Sequence, residues 1–386
     1  MIVGAEFIVL NLPKYVNPRT DSVWHVNTAL WRAPDDGGYV NLTDGEGLTQ
    51  NSIDVGSNSL WRYRKAIRLP SENIFSLGEG WTPIVRGEWA GREVIFKMEY
   101  MMPSGSYKDR GSAVMMNYLK QVGIDSILED SSGNAGSSIA TYGAFLGLKS
   151  RIFVPANAPI AKRRQIAAVG ADVVAVKGSR DDVAAAALSD AEKTFYACHN
   201  LQPYFLEGTK TLAFEIWEQL NFDLPDVIVI PMGQGANVMG CHIGFCELKR
   251  AGVIDRLPRL YAVQAVNAAP YHAAWSVDSA TPIAIEASHT IADGIASSRP
   301  IRLREVFIAL RETDGDIVAV TEDEIEGSLK ELCQKGLFVE PTTAAGAAGL
   351  KILFEDGSIG HSEKVVLILT GSGLKAVDAI AGALEL

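Results

Sequence analysis

Lys108 lies in a loop whose composition suits nucleophilic or acid–base chemistry. The loop, Pro103-Ser-Gly-Ser-Tyr-Lys-Asp-Arg-Gly111, opens a predicted helix that carries Val114, Tyr118 and Val122 on one face. The positive end of a helix dipole disfavours a charged lysine, and a neutral amine is the form that acts as nucleophile and base. Spacing alone favours this interpretation no more than it favours a solvated lysine near a turn.

A second polar loop, Ser131-Ser-Gly-Asn-Ala-Gly136, combines two hydroxyls with two glycines. It follows the run Ile127-Leu-Glu-Asp130 and precedes a predicted helix from Ser137 to Leu148. Free amides at a helix N-terminus attract anions, and a carboxylate suits such a cradle. Ordinary N-capping needs one Ser or Asn, not six small polar residues in a row. The candidate ligand-binding residues are Ser131, Ser132, Gly133, Asn134 and Ala135.

A third loop is rich in glycine and follows the apolar run Val227–Ile230. Glycines between a strand and a helix let backbone amides approach a phosphate closely. A dinucleotide site is weakly supported, because the spacing is GxGxxxxG and Asp255 precedes the next predicted strand instead of ending it. The GxxxxGK[ST] pattern of nucleotide-binding P-loops does not occur. The candidate phosphate-binding residues are Gly233, Gln234, Gly235, Ala236 and Asn237.

The fourth loop, Thr370-Gly-Ser-Gly-Leu-Lys375, indicates on its own only a turn from strand to helix. Its meaning comes from the elements around it. Apolar, β-branched runs alternate with helical stretches such as Lys210–Leu220 and Glu322–Lys335. This alternation predicts an α/β fold with parallel sheets, in which ligands bind at the carboxyl ends of the strands. The predicted strands are Arg151–Val154, Asp172–Val176, Val227–Ile230, Leu260–Val266, Ile317–Val320 and Val365–Leu369.

Composition narrows the classes of partner. The 386 residues are 47% hydrophobic and carry a formal net charge of −11, which fits a globular protein and disfavours nucleic acid and anionic membranes as partners. The N-terminal stretch lacks a basic leader and meets Glu6 early, so we expect no signal peptide and a cytoplasmic location. The cysteines are scattered and histidines are scarce, so we expect free thiols and no metal site.

Together the four loops resemble threonine synthase and its relatives among the fold-type II, tryptophan synthase β-like, pyridoxal 5′-phosphate (PLP) enzymes. The similarity runs from about Leu60 to Lys375. The motifs that carry it, in the family's order, are Ser106-Tyr-Lys-Asp-Arg-Gly111, Ser131-Ser-Gly-Asn134, Gly233–Asn237 and Thr370-Gly-Ser-Gly373. Supporting motifs are Leu60-Trp-Arg-Tyr63, Ser76-Leu-Gly-Glu-Gly-Trp-Thr-Pro83, Leu206-Glu-Gly-Thr-Lys-Thr211 and Phe338-Val-Glu-Pro-Thr-Thr-Ala-Ala345.

The resemblance implies a role for each loop. Lys108 is similar to the lysine that holds PLP as a Schiff base and moves the Cα proton. Asn134 is similar to the residue at the cofactor's ring hydroxyl, and Thr370 to the hydroxyl residue at its pyridine nitrogen. The amides of residues 233–237 are expected to bind the cofactor phosphate, and residues 131–135 the substrate carboxylate.

The implied architecture is two α/β domains with the cofactor between them. We expect an irregular arm over residues 1–75, a large PLP-binding domain formed by residues 76–110 and 192–386, and a small inserted domain over residues 111–191. A homodimer is the form implied by the resemblance.

Three functions remain open at this point. The first is α,β-elimination or β-replacement on a small amino acid, as in a dehydratase or ammonia-lyase. The second is threonine synthase itself, acting on O-phosphohomoserine. The third, which Lys108 disfavours, is a catalytically silent amino-acid- or PLP-binding protein. The first is preferred because Phe205 stands where many threonine synthases have an arginine that helps to bind the substrate phosphate.

Overall fold

The computed structural model describes residues 12–131, 133–156, 158, 160–178 and 180–386. Its strands form three sheets, two of them flanked by helices. The strands are β1 (Lys14–Val16), β2 (Val23–His25), β3 (Asn41–Leu42), β4 (Ile84–Trp89), β5 (Arg92–Lys97), β6 (Ser126–Glu129), β7 (Lys149–Pro155), β8 (Asp172–Val176), β9 (Phe195–Tyr196), β10 (Val227–Pro231), β11 (Arg259–Ala265), β12 (Asp316–Val320) and β13 (Val365–Ile368).

The helices alternate with the strands, as the sequence predicts for an α/β fold. Three pairs of described helices follow one another without an intervening strand: α5 with α6, α8 with α9, and α10 with α11. The helices are α1 (Lys108–Gln121), α2 (Asn134–Leu146), α3 (Ile160–Ala168), α4 (Arg180–Asp190), α5 (Pro203–Thr209), α6 (Thr211–Gln219), α7 (Ala236–Arg250), α8 (Pro270–Trp275), α9 (Leu303–Glu312), α10 (Glu322–Gln334), α11 (Pro341–Glu355) and α12 (Val377–Ala383).

The largest sheet has six strands in the order β12-β11-β10-β13-β5-β4. All neighbours are parallel except the β4–β5 hairpin, in which Ile84 pairs with Lys97. Strand β10 is buried along its whole length, which explains its unbroken apolar sequence. Because β5, β13 and β10 are adjacent and parallel, the loops that follow them leave the same edge of the sheet.

A second sheet is wholly parallel, with the strand order β8-β7-β6-β9. Strand β6 lies inside this sheet and ends at Glu129, directly before the polar loop at residues 131–136. The fold class predicted from the sequence is confirmed: the chain is α/β, with parallel sheets covered by helices. The proposed domain limits at residues 111 and 191 stay a prediction.

The predicted N-terminal arm is less irregular than expected. Its described part, from residue 12, contains the three-stranded antiparallel sheet β2-β1-β3. The strands are only two or three residues long, so the sequence shows no alternation that would predict them. The Tyr15 hydroxyl lies 2.6 Å from the Tyr118 hydroxyl of α1, which fastens the arm to the body. Residues 1–11 lie outside the described residues.

None of the described helices is long and apolar enough to cross a membrane.

Candidate active site

The lysine loop and the Thr370 loop lie side by side. The Tyr107 amide donates to the Thr370 carbonyl at 3.0 Å, and the Ser372 amide donates to the Gly105 carbonyl at 2.9 Å. Gly105 has a φ of +84°, a backbone conformation that favours glycine. These bonds hold the backbone at the start of α1. Lys108 is the first residue of this helix, so its backbone position is fixed.

The Lys108 amine is half-buried and lies between two aromatic rings. Its Nζ is 4.7 Å from the ring centroid of Tyr107 and 5.6 Å from that of Phe205. Among the described residues, none forms a hydrogen bond or ion pair with this Nζ. An amine held against ring faces, with no competing acceptor, is available to a ligand.

Arg110, two residues further on, is buried and uses its guanidinium in ion pairs inside the protein. Its guanidinium donates to both oxygens of Glu99 at 2.7 Å and to both oxygens of Glu215, at 2.7 and 2.9 Å. Lys97 adds a further ion pair to Glu215. Burial raises the pKa of Glu215, but Arg110 and Lys97 outweigh burial and hold that pKa well below its usual range. Arg110 therefore has a structural role.

Asp109 links the lysine loop to α2. Its carboxylate accepts hydrogen bonds from the Ser104 amide at 2.6 Å, from the Ser104 hydroxyl and from the Ser138 hydroxyl. Burial raises the pKa of Asp109 to about 6, although these hydrogen bonds and Lys375 oppose the shift. The contact to Ser138 brings the N-terminal turn of α2 next to the lysine loop.

Asn134, the first residue of α2, contacts a residue to which the sequence assigned no role. Its Nδ2 donates to Glu340 Oε1 at 2.8 Å, and the Glu340 amide donates to the Gly371 carbonyl at 3.0 Å. Burial raises the pKa of Glu340 despite the nearby Lys162. Glu340 thus joins the SSGN loop to the Thr370 loop. The quoted motif Phe338-Val-Glu-Pro was the only signal for it.

The other residues of the SSGN loop surround the start of α2. Ser131 and Gly133 are half-buried and Ala135 is buried, whereas Ser132 lies outside the described residues. A Cβ on Gly136 would lie 1.8 Å from the Ser131 carbonyl oxygen, so the close turn requires glycine there. Ser131, Gly133, Asn134 and Ala135 therefore lie together at the start of α2, and their role as a carboxylate cradle stays a prediction.

Thr370 is buried and bonded to a neighbouring threonine. Its Oγ1 lies 3.0 Å from Thr343 Oγ1, which also accepts from the Gly371 amide at 3.1 Å. Thr370 and Thr343 contribute uncharged hydroxyl groups here, and the neighbouring Glu340 carboxylate is hydrogen-bonded to Asn134.

The glycine loop leads into α7. Gly235, with a φ of +84°, precedes the first residue of that helix. Both amide atoms of the buried Asn237 side chain lack a partner among the described residues. The Gln234 side chain turns away, since its Nε2 donates to the Arg299 carbonyl at 2.7 Å and its Oε1 accepts from the Ile301 amide at 3.0 Å.

The glycine loop reaches the other loops through Gly294. A Cβ on Gly233 would lie 3.3 Å from the Gly294 carbonyl oxygen, and the Gly294 amide donates to Thr342 Oγ1 at 3.0 Å. Thr342 precedes Thr343, the partner of Thr370. We call residues 103–108, 131–137, 233–237 and 370–375, together with Glu340, the four-loop site.

Comparison with known proteins identifies the family. The sequence model of the family described as "Pyridoxal-phosphate dependent enzyme" matches residues 75–371. This chain belongs to that family. Threonine synthase from Methanocaldococcus jannaschii is 36% identical over 335 residues, covering 84% of this chain and 83% of that protein. Threonine synthase from Bacillus sp. is 34% identical over 311 residues, covering 78% and 85%.

Solved structures agree on the fold. Maize serine racemase superposes with a TM-score of 0.68 at 21% identity, covering 86% of this chain and 98% of that one. A fungal L-serine ammonia-lyase from Rhizomucor miehei gives a TM-score of 0.69 at 20% identity, covering 79% and 97%. The threonine synthase-like, fold-type II character predicted from the sequence is confirmed, and PLP is the cofactor.

The four-loop site fits this cofactor. Buried polar groups in proteins normally have hydrogen-bond partners, so a cluster of buried atoms without them indicates a ligand. The half-buried Lys108 amine likewise has no hydrogen-bond or ion-pair partner among the described residues. Within the described residues, the buried atoms without a partner include Ser106 Oγ, Asn134 Oδ1, Glu340 Oε2 and both side-chain amide atoms of Asn237.

A second half-buried lysine borders the site. Lys375 Nζ donates to the Ser104 carbonyl at 2.9 Å and to the Ser137 hydroxyl at 2.8 Å. Burial lowers the pKa of Lys375 to about 8, against the opposing charges of Glu340 and Asp109. The sequence placed Lys375 only at the end of a motif.

The expectation that the chain has no metal site stays a prediction. The fold brings together two groups of potential ligands that are distant in sequence. One group is Glu129, Cys198 and His199, and the other is His242, Cys246 and Glu312. Sequence spacing could not show either group, because each needs a residue from a separate strand or helix.

Proposed function

We propose that this chain is a lyase that catalyses α,β-elimination or β-replacement on a small amino acid with an uncharged or short polar β-substituent, as a dehydratase or ammonia-lyase does. When bound, PLP supplies the electron sink for the electron pair left after the Cα proton is removed. The chain's own residues bind and orient the substrate, exclude water and move the proton.

Lys108 is the proposed holder of the cofactor and the proposed base. Its half-buried amine has no ion-pair partner in the described part of the chain. The amine is therefore free to hold the cofactor and, once released from it, to take a proton from the substrate. Held at the first turn of α1, the amine can stay close to the Cα of a bound substrate. The proposed hydrogen-bond donors to the cofactor phosphate are the backbone amides of Gly233, Gln234, Gly235, Ala236 and Asn237.

The SSGN loop is the proposed cradle for the substrate carboxylate. Its amides and hydroxyls lie at the N-terminus of α2, where an anion is favoured. The proposed contacts are Ser131, Ser132, Gly133, Asn134 and Ala135. Asn134 also offers a buried Oδ1 that has no partner among the described residues.

Thr370 is the proposed neighbour of the cofactor's ring nitrogen. A hydroxyl cannot stabilise a charged ring as a carboxylate would, which makes the ring a milder electron sink. A milder sink favours expulsion of a β-substituent over transamination. We therefore expect little pyridoxamine phosphate to accumulate during turnover.

Phe205 is the residue that favours an unphosphorylated substrate in this proposal. It is fully buried, and its ring centroid lies 5.6 Å from Lys108 Nζ. At the matching position many threonine synthases have an arginine, which grips phosphate through charge-assisted hydrogen bonds. Phenylalanine has no donor, and loss of one such bond costs about 1.5–3 kcal/mol.

Lys210 does not replace the missing charge. Its ammonium is buried and forms ion pairs with Glu207 and Glu247, both at 2.9 Å. Arg302 is committed as well, donating to the carbonyls of Asn200 and Leu201 at 2.8 Å. These cations therefore offer no free donors to a phosphate beside Phe205.

The test compares kcat/KM for serine, threonine, hydroxyaspartate and diaminopropionate with that for O-phosphohomoserine, measuring ammonia, 2-oxoacid and threonine release. We expect elimination from one of the first four to be fastest. The Lys108→Ala variant, reloaded with PLP, gives the background rate. Threonine formation from O-phosphohomoserine as the fastest reaction would overturn the proposal.

Threonine synthase is the second candidate. It is favoured by the relatives that carry this name at 34–36% identity. The same substrate panel separates the two candidates, since only threonine synthase releases inorganic phosphate from O-phosphohomoserine. The homodimer and the cytoplasmic location stay predictions, and light scattering on the purified chain tests the first.

A further inference from the structure

Three potential metal ligands meet on the outer side of α7, away from the glycine loop. His242 and Cys246 are four residues apart, so both lie on one face of this helix. Glu312, the last residue of α9, approaches from the neighbouring helix. His242 Nε2 lies 2.8 Å from Glu312 Oε2 and 3.3 Å from Cys246 Sγ.

Hydrogen bonding alone does not satisfy this arrangement well. One imidazole nitrogen faces both the carboxylate and the thiol, and it carries either one proton or one lone pair. A protonated Nε2 can donate to Glu312 but then has no lone pair for the Cys246 thiol. An unprotonated Nε2 can accept from the thiol but then repels the carboxylate. A cation placed between the three atoms attracts all of them.

The three side chains also line a cavity of about 330 Å³ between α7, α9 and the N-terminal arm. Asp44, Glu305 and Arg250 also line this cavity, and Arg250 forms an ion pair with Asp44 at 2.8 Å. The Glu312 side chain is 56% exposed and that of His242 14%. The site is therefore open to ions from solvent, and Glu312 has room to move.

We propose that His242, Cys246 and Glu312 bind Zn²⁺ or a similar late first-row divalent cation, with the fourth coordination position open to the cavity. Sulfur, imidazole and carboxylate are ligands that zinc accepts together, and three protein ligands plus water form a common zinc set. Hard cations such as Mg²⁺ prefer oxygen ligands and suit this set poorly.

The distances suit a small cation. Bonds of about 2.0–2.3 Å in a tetrahedral site place neighbouring ligand atoms about 3.4–3.6 Å apart. The Nε2–Sγ distance of 3.3 Å is slightly short of this range, and the exposed Glu312 carboxylate needs to move outward by about half an ångström. Binding forms the metal–sulfur bond and releases the thiol proton to the buffer.

The site is separate from the proposed chemistry. Cys246 lies nine residues beyond Asn237 on α7, about 14 Å along the helix. Substitutions at the site should leave the activity of the PLP-loaded enzyme unchanged. Unchanged activity then shows that each variant is folded.

The experiment is equilibrium dialysis of the PLP-loaded enzyme, stripped of metal with a chelator, against Zn²⁺, with metal per chain measured by atomic emission. We expect one Zn²⁺ per chain. Loss of an outer-shell partner alone weakens zinc binding 10–100-fold, so Cys246→Ser and His242→Ala should each weaken it by about 100-fold or more. Cys333→Ser is the matched control, because Cys333 is also a partly buried free thiol.

Alkylation gives an independent readout. Zn²⁺ should slow the alkylation of Cys246, detected by peptide mass spectrometry, and leave Cys333 unprotected. Binding that survives both Cys246→Ser and His242→Ala would overturn the proposal. So would binding lost in Cys198→Ser, which would assign the metal to the buried Glu129, Cys198 and His199 group instead. Absence of Zn²⁺ binding in the unmodified enzyme would overturn it as well.

Discussion

Two regions that touch each other treat their charged and polar groups in opposite ways. In the ion-pair cluster of Lys97, Glu99, Arg110 and Glu215, every nitrogen and oxygen of the side chains has a partner. In the four-loop site, next to it along α1, several buried atoms have none among the described residues. The first region is complete without a ligand, whereas the second is completed by one.

This difference separates the roles of residues that are adjacent in sequence. Lys108 and Arg110 belong to one motif, yet only Arg110 is tied into the interior. A motif therefore mixes residues that hold the fold with residues that perform chemistry, and hydrogen-bond partners distinguish them. The substitutions below test this distinction by attacking one region at a time.

Lys108→Ala should have the largest effect. It should reduce activity and leave the stability of the protein almost unchanged. Loss of both the cofactor link and the base should reduce turnover by about 10⁴-fold or more. The free energy of unfolding of the cofactor-free protein should change by less than about 0.5 kcal/mol, because no ion pair is lost. Steady-state kinetics and urea unfolding measure the two effects.

Borohydride reduction of the PLP-loaded enzyme sharpens this test. Peptide mapping should place the pyridoxyl group on Lys108. A pyridoxyl peptide containing Lys210 or Lys375 would contradict the assignment.

Arg110→Met should have the opposite profile. Removing the guanidinium leaves the buried Glu99 and Glu215 with only Lys97 as a cation, and breaking a buried ion pair costs about 3–5 kcal/mol. Urea unfolding of the cofactor-free protein measures this loss. Arg86→Met, which breaks the exposed pair with Glu93, is the control and should cost less than about 1 kcal/mol. Equal losses in the two variants would refute the structural role of Arg110.

The sequence predicted much of this fold because buried parallel strands are unbroken apolar runs. Strand β8 occupies the predicted residues Asp172–Val176, and β10 extends the predicted Val227–Ile230 by one residue. The β4–β5 hairpin was missed. Gly87 and the charged Arg86 and Glu88 interrupt the apolar pattern of its first strand, and the turn at Ala90-Gly91 lacks the usual Asn-Gly signal.

The site was predictable loop by loop but not as an assembly. Glycine and hydroxyl clusters after strands indicated each loop, since backbone amides at helix starts attract anions. The contact between Asn134 and Glu340 spans 206 residues, and no local pattern encodes such a pairing. The motif around Glu340 marked it as similar to the family without showing what it touches.

Asn237→Ala should weaken cofactor binding without destabilising the cofactor-free protein. If the Asn237 side chain bonds the charged cofactor phosphate, its loss should weaken PLP binding by about 10–100-fold, equivalent to 1.5–3 kcal/mol. Dialysis followed by absorbance titration with PLP measures the affinity. Burial of unpartnered amide atoms is unfavourable, so the cofactor-free variant should be at least as stable as the unmodified chain.

Asn117→Ala is the matched control for this variant. The Asn117 side chain accepts from the Phe75 amide at 2.9 Å and donates to the Phe75 carbonyl at 2.8 Å and the Ala113 carbonyl at 2.9 Å. Its removal should cost about 1–3 kcal/mol of stability and leave PLP affinity unchanged. The same pattern in both variants would show that missing partners do not mark the ligand site.

The smallest expected effect concerns Lys375, which lies between the two regions. This lysine should make the free energy of unfolding depend on pH. Burial lowers the pKa of Lys375 to about 8 in the folded chain, below its usual value of 10.5. Between these two pH values the unfolded chain binds more protons at this lysine than the folded chain, so its contribution to stability rises with pH. The facing charges are Glu340, Asp109, Lys162 and Asp293.

The measurement is the free energy of unfolding of the cofactor-free chain and of its Lys375→Met variant at several pH values. Below pH 8 the folded chain must keep a charged ammonium in a buried place, and above pH 8 that penalty is progressively relieved. Stability of the unmodified chain relative to the variant should therefore rise by about 1 kcal/mol between pH 8 and pH 9. A relative stability that stays unchanged over this interval would mean that Glu340 and Asp109 keep the lysine charged in the folded chain, which would assign Lys375 to the ion-paired class with Arg110.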